Sequence, residues 1–229
     1  MEIVLVRHGQ PAWADQGVAF NDPGLTDLGH EQARRAADRV VADGGFDHLF
    51  VSTARRSRET VAPLITATGR DAMVLPWLHE IRPADDWDGQ PAEEVARRFQ
   101  QARYRPRDLC WEGLSEGPEP YRDVHERVVT GARAALAEAG ITPHPEDPDN
   151  LWSVPEDVGR VVVVAHAGTN SVLLGFLLGL QPQPWEWERF ASAHASFTVL
   201  ETTPIGPGTI FSLRSFSDVG HLSGLTITR

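Results

Sequence analysis

Two unbroken apolar runs, Ile-Val-Leu-Val at residues 3–6 and Val-Val-Val-Val at 161–164, do most to restrict the folds open to this chain. Four consecutive β-branched or leucine side chains leave no polar face. Each run therefore reads as a short strand buried on both sides, as parallel sheets require. The two runs also end alike. The first continues into Arg7, His8 and Gly9; the second passes through Ala165 into His166, Ala167 and Gly168. A buried strand that hands over to a cation and an imidazole delivers both to the carboxyl edge of its sheet, where open α/β folds hold ligands. Arginine offers a planar fork suited to phosphate oxygens. Imidazole can serve there as base, metal ligand or nucleophile near neutral pH.

The segments between these runs alternate strand and helix. Residues 10–24 carry Pro11, Trp13, Gly17, Pro23 and Gly24 without any period, so they form a loop leaving directly from the first strand end. Thr26 caps a helix with Asp27 in its first turn, apolar positions at 28, 33, 36, 37, 40 and 41, and a stop at Gly44-Gly45. Residues 48–52 read as a second short strand, followed by a helix entered through Arg55, Arg56 and Arg58. Three arginines so spaced cannot all face one way, and at most two reach a common anion. Pro63 sits early in that helix or kinks it.

A third strand is expected at 73–75. Beyond it, Glu80 lies in a loop between Leu78 and Ile81. A carboxylate in apolar company holds its proton more tightly, which suits a general acid. Helices are expected at 92–101 and 121–140, separated by an irregular insertion at 103–121. A second insertion at 141–159, with four prolines and Trp152, is too long for a simple connection. After the strand at 161–164, Thr169, Asn170 and Ser171 are positioned to cap an apolar helix over 172–180. Its N-terminal N–H groups and dipole favour an anion at the same edge. Strands at 197–202 and 210–216 form a hairpin across the turn at 204–208.

Composition narrows the function classes. A net charge of −11 disfavours nucleic-acid or anionic-membrane partners, so any anion site is a local cationic pocket. Cys110 stands alone, which rules out an internal disulfide and a cysteine-based metal cluster. The histidines lack i, i+4 ligand spacing, so no metal and no cofactor is expected. The most lipid-like stretch, 161–180, is split by its polar middle at 166–171 into pieces too short to span a bilayer. The chain enters its first strand without a basic or long apolar leader, and a cytoplasmic location is expected.

Two buried strands ending in histidine and a third turning into a helix at arginine converge on one site. With Leu5-Val-Arg-His-Gly9, Leu25-Thr-Asp-Leu-Gly29, Gln32-Ala33, Ser52 with Arg56 and Glu59-Thr60, Leu78 with Glu80, Trp87 with Gly89, and Ala165-His166 with Gly168, the chain resembles the histidine phosphatase superfamily, which includes the cofactor-dependent phosphoglycerate mutases. The resemblance implies a three-layer α/β/α sandwich with a mostly parallel sheet. It would be one domain over 1–229 with a lid inserted at roughly 85–155. It implies His8 as the nucleophile that becomes phosphohistidine, and Arg7, Arg56 and His166 as the clamp on the phosphoryl oxygens. Neighbouring cations would keep the His8 imidazole neutral. Glu80 would be the acid for the leaving alcohol, and the main-chain N–H of Ala167 or Gly168 an extra donor. The family's spacing from Ser52 selects Arg56 over Arg55.

Three departures turn the expectation from mutase to phosphatase. Trp13-Ala14 stands where the mutases carry an Asn, Ala167 follows the second histidine where a Gly is usual, and residues 117–120 replace a Gly-Glu-Ser type of sequence. The expected enzyme is a phosphomonoesterase of histidine acid phosphatase type acting on a small phosphorylated metabolite, with a homodimer left open. A phosphoglycerate-type mutase and an inactive phosphate-ligand binder are the rivals; the intact nucleophile and acid weigh against the binder. His221 is read as structural, as are the histidines at 30, 48, 79, 125, 144 and 194.

Overall fold

The computed structural model describes residues 1–15, 17–113 and 118–229. Position 117, the first residue of one departure noted above, and 114–116 within the first insertion lie outside the described residues. The two apolar runs are strands β1 (Glu2–Arg7) and β8 (Arg160–Ala165), paired in parallel from Glu2↔Arg160 to Arg7↔Ala165. Between them in sequence come a short ribbon, β2 (Ala14–Asp15) with β3 (Val18–Ala19), then helix α1 (Asp27–Ala42), strand β4 (His48–Ser52), helix α2 (Arg55–Thr68) and strand β5 (Met73–Leu75). There follow α3 (Ala92–Ala102), α4 (Tyr121–Glu138), and strands β6 (Thr142–His144) and β7 (Asp147–Ser153). Helices α5 (Ala167–Leu177) and α6 (Glu186–Arg189) and strands β9 (Phe197–Ile205) and β10 (Gly208–Asp218) complete the chain.

The main sheet has eight strands in the order β5-β4-β8-β1-β9-β10-β7-β6. From β5 to β1 every pairing is parallel; from β1 to β6 every pairing is antiparallel. The mostly parallel sheet expected from sequence thus describes the half that carries the strand ends, and the whole sheet is mixed.

Strand periodicity assigns the two faces. Val4, Val6, Val162 and Val164 pack with Ala36, Ala37, Val40, Val61 and Leu64 of α1 and α2. Ile3, Leu5, Val161 and Val163 pack with Val124 and Val128 of α4 and with Val172 and Leu173 of α5. The result is the expected three-layer α/β/α arrangement. Burying each of these valine, leucine and isoleucine side chains contributes roughly 1.5–3 kcal/mol.

Sequence-level punctuation is largely kept. The Thr26 side chain accepts from the Gly29 N–H at 3.0 Å as N-cap of α1. Gly44 and Gly45 follow that helix at φ 100° and 79°. Pro63, however, lies well inside α2. Residues 142–153 fold as a hairpin on the open edge of the sheet, with Thr209 of β10 paired to Trp152. Trp152 is buried, its ring 5.5 Å from Phe176 and 5.7 Å from Phe211. That pairing falls at the end of β10 near the turn, opposite the carboxyl end of β1. The second insertion therefore contributes Trp152 to the core.

Candidate active site

The parallel register between β1 and β8 leaves His8 and His166 side by side just past their strands. The His8 N–H donates to the Ala165 carbonyl at 2.9 Å, and the rings stand 5.1 Å apart at 61°. Both side chains are fully buried. The His8 Nδ1 lies 2.8 Å from the Gly9 carbonyl oxygen. A carbonyl only accepts, so Nδ1 carries the proton and the neutral ring keeps its lone pair on Nε2. Burial, and then the charges of Arg56 and Arg7, hold the His8 pKa well below the ordinary imidazole value, as the sequence led us to expect. His166 is held down by the same burial and by Arg56. Its Nε2 lies 2.8 Å from the Ser52 hydroxyl at the end of β4, and its Nδ1 is buried without a protein partner.

Close backbone packing sets the loop that follows His8. A Cβ on Gly9 would come 2.6 Å from the Gly29 carbonyl oxygen, and one on Gly29 2.2 Å from that of Gln10. Only glycines allow the β1 loop to lie against the start of α1. The Gly9 N–H donates to the Thr60 hydroxyl at 2.9 Å, which joins this loop to α2.

Arg56 and Arg55 are separated cleanly. Arg56 is 2% exposed, with its Nη1 3.4 Å from Asp22 and its guanidinium 4.7 Å from the centre of the Trp13 ring. Arg55 points to solvent and pairs with Glu59 at 2.6 Å. Trp13, a departure from the mutase pattern, therefore covers the Arg56 guanidinium while staying 45% exposed at the rim.

Arg7 is held from the loop before β9. Its Nη1 donates to the Ser192 carbonyl at 2.5 Å, and its Nη2 lies 2.9 Å from His194 Nε2. Burial lowers the Arg7 pKa to about 10, opposed by the charge of Glu80 and assisted by that of Arg56. Glu80 reaches the site from the loop after the 3-10 turn Pro76–Leu78. Its Oε2 accepts from the Gly168 N–H at 3.0 Å and its Oε1 from its neighbour Ile81 at 3.1 Å. A Cβ on Gly168 would lie 2.5 Å from Glu80 Oε1, so the glycine makes room for the acid.

Two expectations change here. Helix α5 begins immediately at Ala167 with His166 as its N-cap residue, so Thr169, Asn170 and Ser171 lie within it and do not cap it. The Gly168 N–H is committed to Glu80, so that of the two expected donors only the Ala167 N–H, at the helix start, has no partner among the described residues. The structure thus brings Arg7, His8, Arg56, Glu80, His166 and Ala167 to one edge of the sheet.

It also brings two histidines that the sequence reading set aside. His194 lies 5.5 Å from the His8 ring, and His79 lies 6.0 Å from the His166 ring. Neither ends a strand, so no periodicity pointed to them; His79 stood next to Glu80, which was the one available signal. His221 is half-buried, its ring 4.8 Å from Phe197. Among the described residues no group of three or more His, Cys, Asp or Glu side chains is placed to hold a metal ion. None of the described helices is long and apolar enough to cross a membrane.

The profile of the histidine phosphatase superfamily (branch 1) matches residues 3–210. A 2,3-bisphosphoglycerate-dependent phosphoglycerate mutase of Brucella melitensis biotype 2 is 35% identical over 189 residues, covering 79% of this chain and 83% of the mutase. The PE-PGRS family protein PE_PGRS11 of Mycobacterium tuberculosis is 42% identical over 82 residues, 34% of this chain and 14% of that protein. The chain also spans less than two thirds of the length of several mutases it matches. Among solved structures, a mycobacterial glucosyl-3-phosphoglycerate phosphatase in complex with VO3 superposes with a TM-score of 0.68 at 26% identity. It covers 94% of this chain and 98% of its own. The chain belongs to the histidine phosphatase superfamily, branch 1.

Proposed function

We propose that this protein is a phosphomonoester hydrolase that acts on a small phosphorylated metabolite through a phosphohistidine. The observation that carries the reading is the His8 tautomer. With Nδ1 tied to the Gly9 carbonyl, the Nε2 lone pair stands among Arg7, Arg56 and His166, where a phosphoryl group would be bound. His8 Nε2 attacks phosphorus, the ester P–O bond breaks, and Glu80 protonates the departing oxygen. Water then attacks phosphorus, the P–N bond breaks, and Glu80 takes the water's proton as phosphate leaves. The guanidinium groups, the unpartnered His166 Nδ1 and the Ala167 N–H hold the charge that spreads over the equatorial oxygens.

Because burial and two arginines keep His8 neutral into acid, the nucleophile persists there, which supports the histidine acid phosphatase type. The acidic chain and its compact cationic pocket fit a soluble small-molecule enzyme of the cytoplasm. We place the lid in residues 85–113. Segment 85–92 is laced to the loop from the first strand by Ala19 N–H to Gln90 O at 2.9 Å, Ala92 N–H to Gly17 O at 2.8 Å and Asn21 N–H to Asp88 at 2.8 Å. The buried Trp87, packed 5.7 Å from the Phe99 ring, gives this segment its own small core. Its bond to Asn21 stands next to Asp22, whose carboxylate lies 3.4 Å from Arg56.

Brief incubation with a phosphomonoester at pH 5, quenched in alkali, is expected to trap acid-labile phosphate on His8. His8→Ala should lose it together with turnover, a loss on the order of 10⁴–10⁶ for a nucleophile. Full activity in that variant would overturn the mechanism. The mutase reading rests on the Brucella relative. It would be favoured if label from the trapped enzyme passed to phosphoglycerate faster than to water.

A further inference from the structure

His194 reaches the site from a sequence position that no strand end marks, and its bonding leaves it a single arrangement. An arginine only donates, so the 2.9 Å contact with Arg7 Nη2 requires His194 Nε2 to be the acceptor. Its proton must then sit on Nδ1, which lies 2.9 Å from the Thr228 hydroxyl. Thr228 is itself held on two sides. The His194 N–H donates to its carbonyl at 3.0 Å, and Gln32 Nε2 donates to its hydroxyl at 3.3 Å. The Gln32 amide is oriented in turn, because its Oε1 accepts from the Gln10 N–H at 2.8 Å. Gln32 is fully buried, so this amide has no competing solvent.

We propose that His194 is a positioning residue: as the Nδ1–H tautomer fixed by Thr228 and Gln32, it clamps the Arg7 guanidinium in the orientation that receives the phosphoryl group. The inference rests on the phosphohistidine reading above and adds to it a line of connection from the loop after His8, through α1 and residues 225–229, back to Arg7. The guanidinium carries five N–H groups. Two are engaged by Ser192 and His194, and the Nε of Arg7 is buried without a protein partner. Among the described residues the remaining N–H groups have no protein partner and can face an anion, and their direction is set by the two that are held. Burial, and then the Arg7 charge, lower the His194 pKa to about 3, so the acceptor lone pair persists across the working range.

The test combines a spectroscopic readout with binding of inorganic phosphate to the full chain. Long-range ¹H–¹⁵N correlation, with the resonance assigned by its loss in His194→Gln, should show His194 Nδ1 protonated and Nε2 unprotonated at pH 7. His194→Phe, which keeps a ring without an acceptor, should weaken phosphate binding and raise KM by about 10–100-fold in near proportion. His194→Gln, whose amide oxygen falls near the Nε2 position, should restore most of that. Thr228→Val should cost a few-fold and mix the tautomers. A protonated Nε2, or a Phe variant that is folded by circular dichroism and binds phosphate as the wild type does, would overturn the proposal. Absence of a trapped phosphoenzyme in the wild type, with the tautomer as stated, would instead overturn the phosphohistidine reading. Equal losses in the Phe and Gln variants would make His194 a packing residue only.

Discussion

The two halves of the sheet meet at β1 and use their ends differently. In the parallel half, β4, β8 and β1 all finish at one edge and each releases the chain into a helix or loop. Ser52, His166 and His8 therefore emerge together, with Arg56 in the first turn of α2 and Glu80 held against the start of α5. In the antiparallel half, strands turn back on themselves through hairpins, and their side chains fill the core against α4 and α5, as Trp152 and Phe211 do. Parallel connection concentrates polar groups at one edge because every return crossing is a helix on a face. Antiparallel connection spreads its ends over both edges and favours packing. The exception sharpens the rule: the loop entering β9 runs past the active edge, and it supplies Ser192 and His194 to Arg7.

The largest effect that should follow this division is on the phosphate clamp. Losing one preorganised charge donor costs on the order of 10²–10³ in rate. Arg56→Ala is expected to fall by that amount in kcat/KM, whereas Arg55→Ala, whose side chain faces solvent, should stay within a few-fold. The reverse ranking in steady-state assays would break the assignment of the α2 junction.

A change in the acid should be large on one class of ester and small on another. Proton donation contributes on the order of 10²–10⁴ where the leaving oxygen is a poor leaving group. Glu80→Gln is expected to slow phosphorylation by alkyl phosphates by about that range in single-turnover experiments, and p-nitrophenyl phosphate far less. Equal slowing of both would remove Glu80 from the acid's role.

Trp152→Ala tests the other half. Truncating a buried tryptophan costs about 3–5 kcal/mol, so the urea midpoint should drop steeply. The fraction still folded should keep the wild-type kcat, because the hairpin β6–β7 is remote from the site. A selective change in substrate preference at unchanged stability would instead favour a lid role for 141–155.

The smallest effect joins the halves through pH. His8, His166 and His194 are each held neutral in the folded protein below the ordinary imidazole value of about 6.5. Below that pH the unfolded chain takes up protons that the folded chain refuses, so stability must fall as the solution is acidified. For His194 the window runs from about 6.5 down to about 3, at about 1.4 kcal/mol per pH unit once the unfolded imidazole is fully charged. Urea midpoints at pH 7 and pH 5, in phosphate-free buffer, should show the lower value at pH 5. The paired carboxylates, Glu31 and Glu94, held at about 2, lose their contribution between about 4.5 and about 2, so the step from pH 7 to pH 5 is left to the histidines. A flat profile would mean that these rings are not held neutral.

The local sequence determined the strands of the parallel half and the β9–β10 hairpin, most helix boundaries and the identity of the strand-end groups, because those depend on side-chain period and on caps a few residues away; the ribbon β2–β3 and the hairpin β6–β7 lie in segments it read as irregular. The apolar runs at 3–6 and 161–164 could only be buried strands, Thr26 could only be satisfied by N–H groups just ahead of it, and His8 and His166 had to leave at the same edge. Tertiary structure decided everything that turns on register between distant segments. Arg56 differs from Arg55 by 100° of helix rotation, and only the packing of α2 decides which one is buried. The run at 141–159 lacked alternation and carried prolines, so its strands formed because an open sheet edge was available, not from propensity. His194 sits 187 residues from Arg7 and its hydroxyl partner Thr228 a further 34 on. A contact of that kind leaves no local period, since it is made by where the loop before β9 crosses the end of β1.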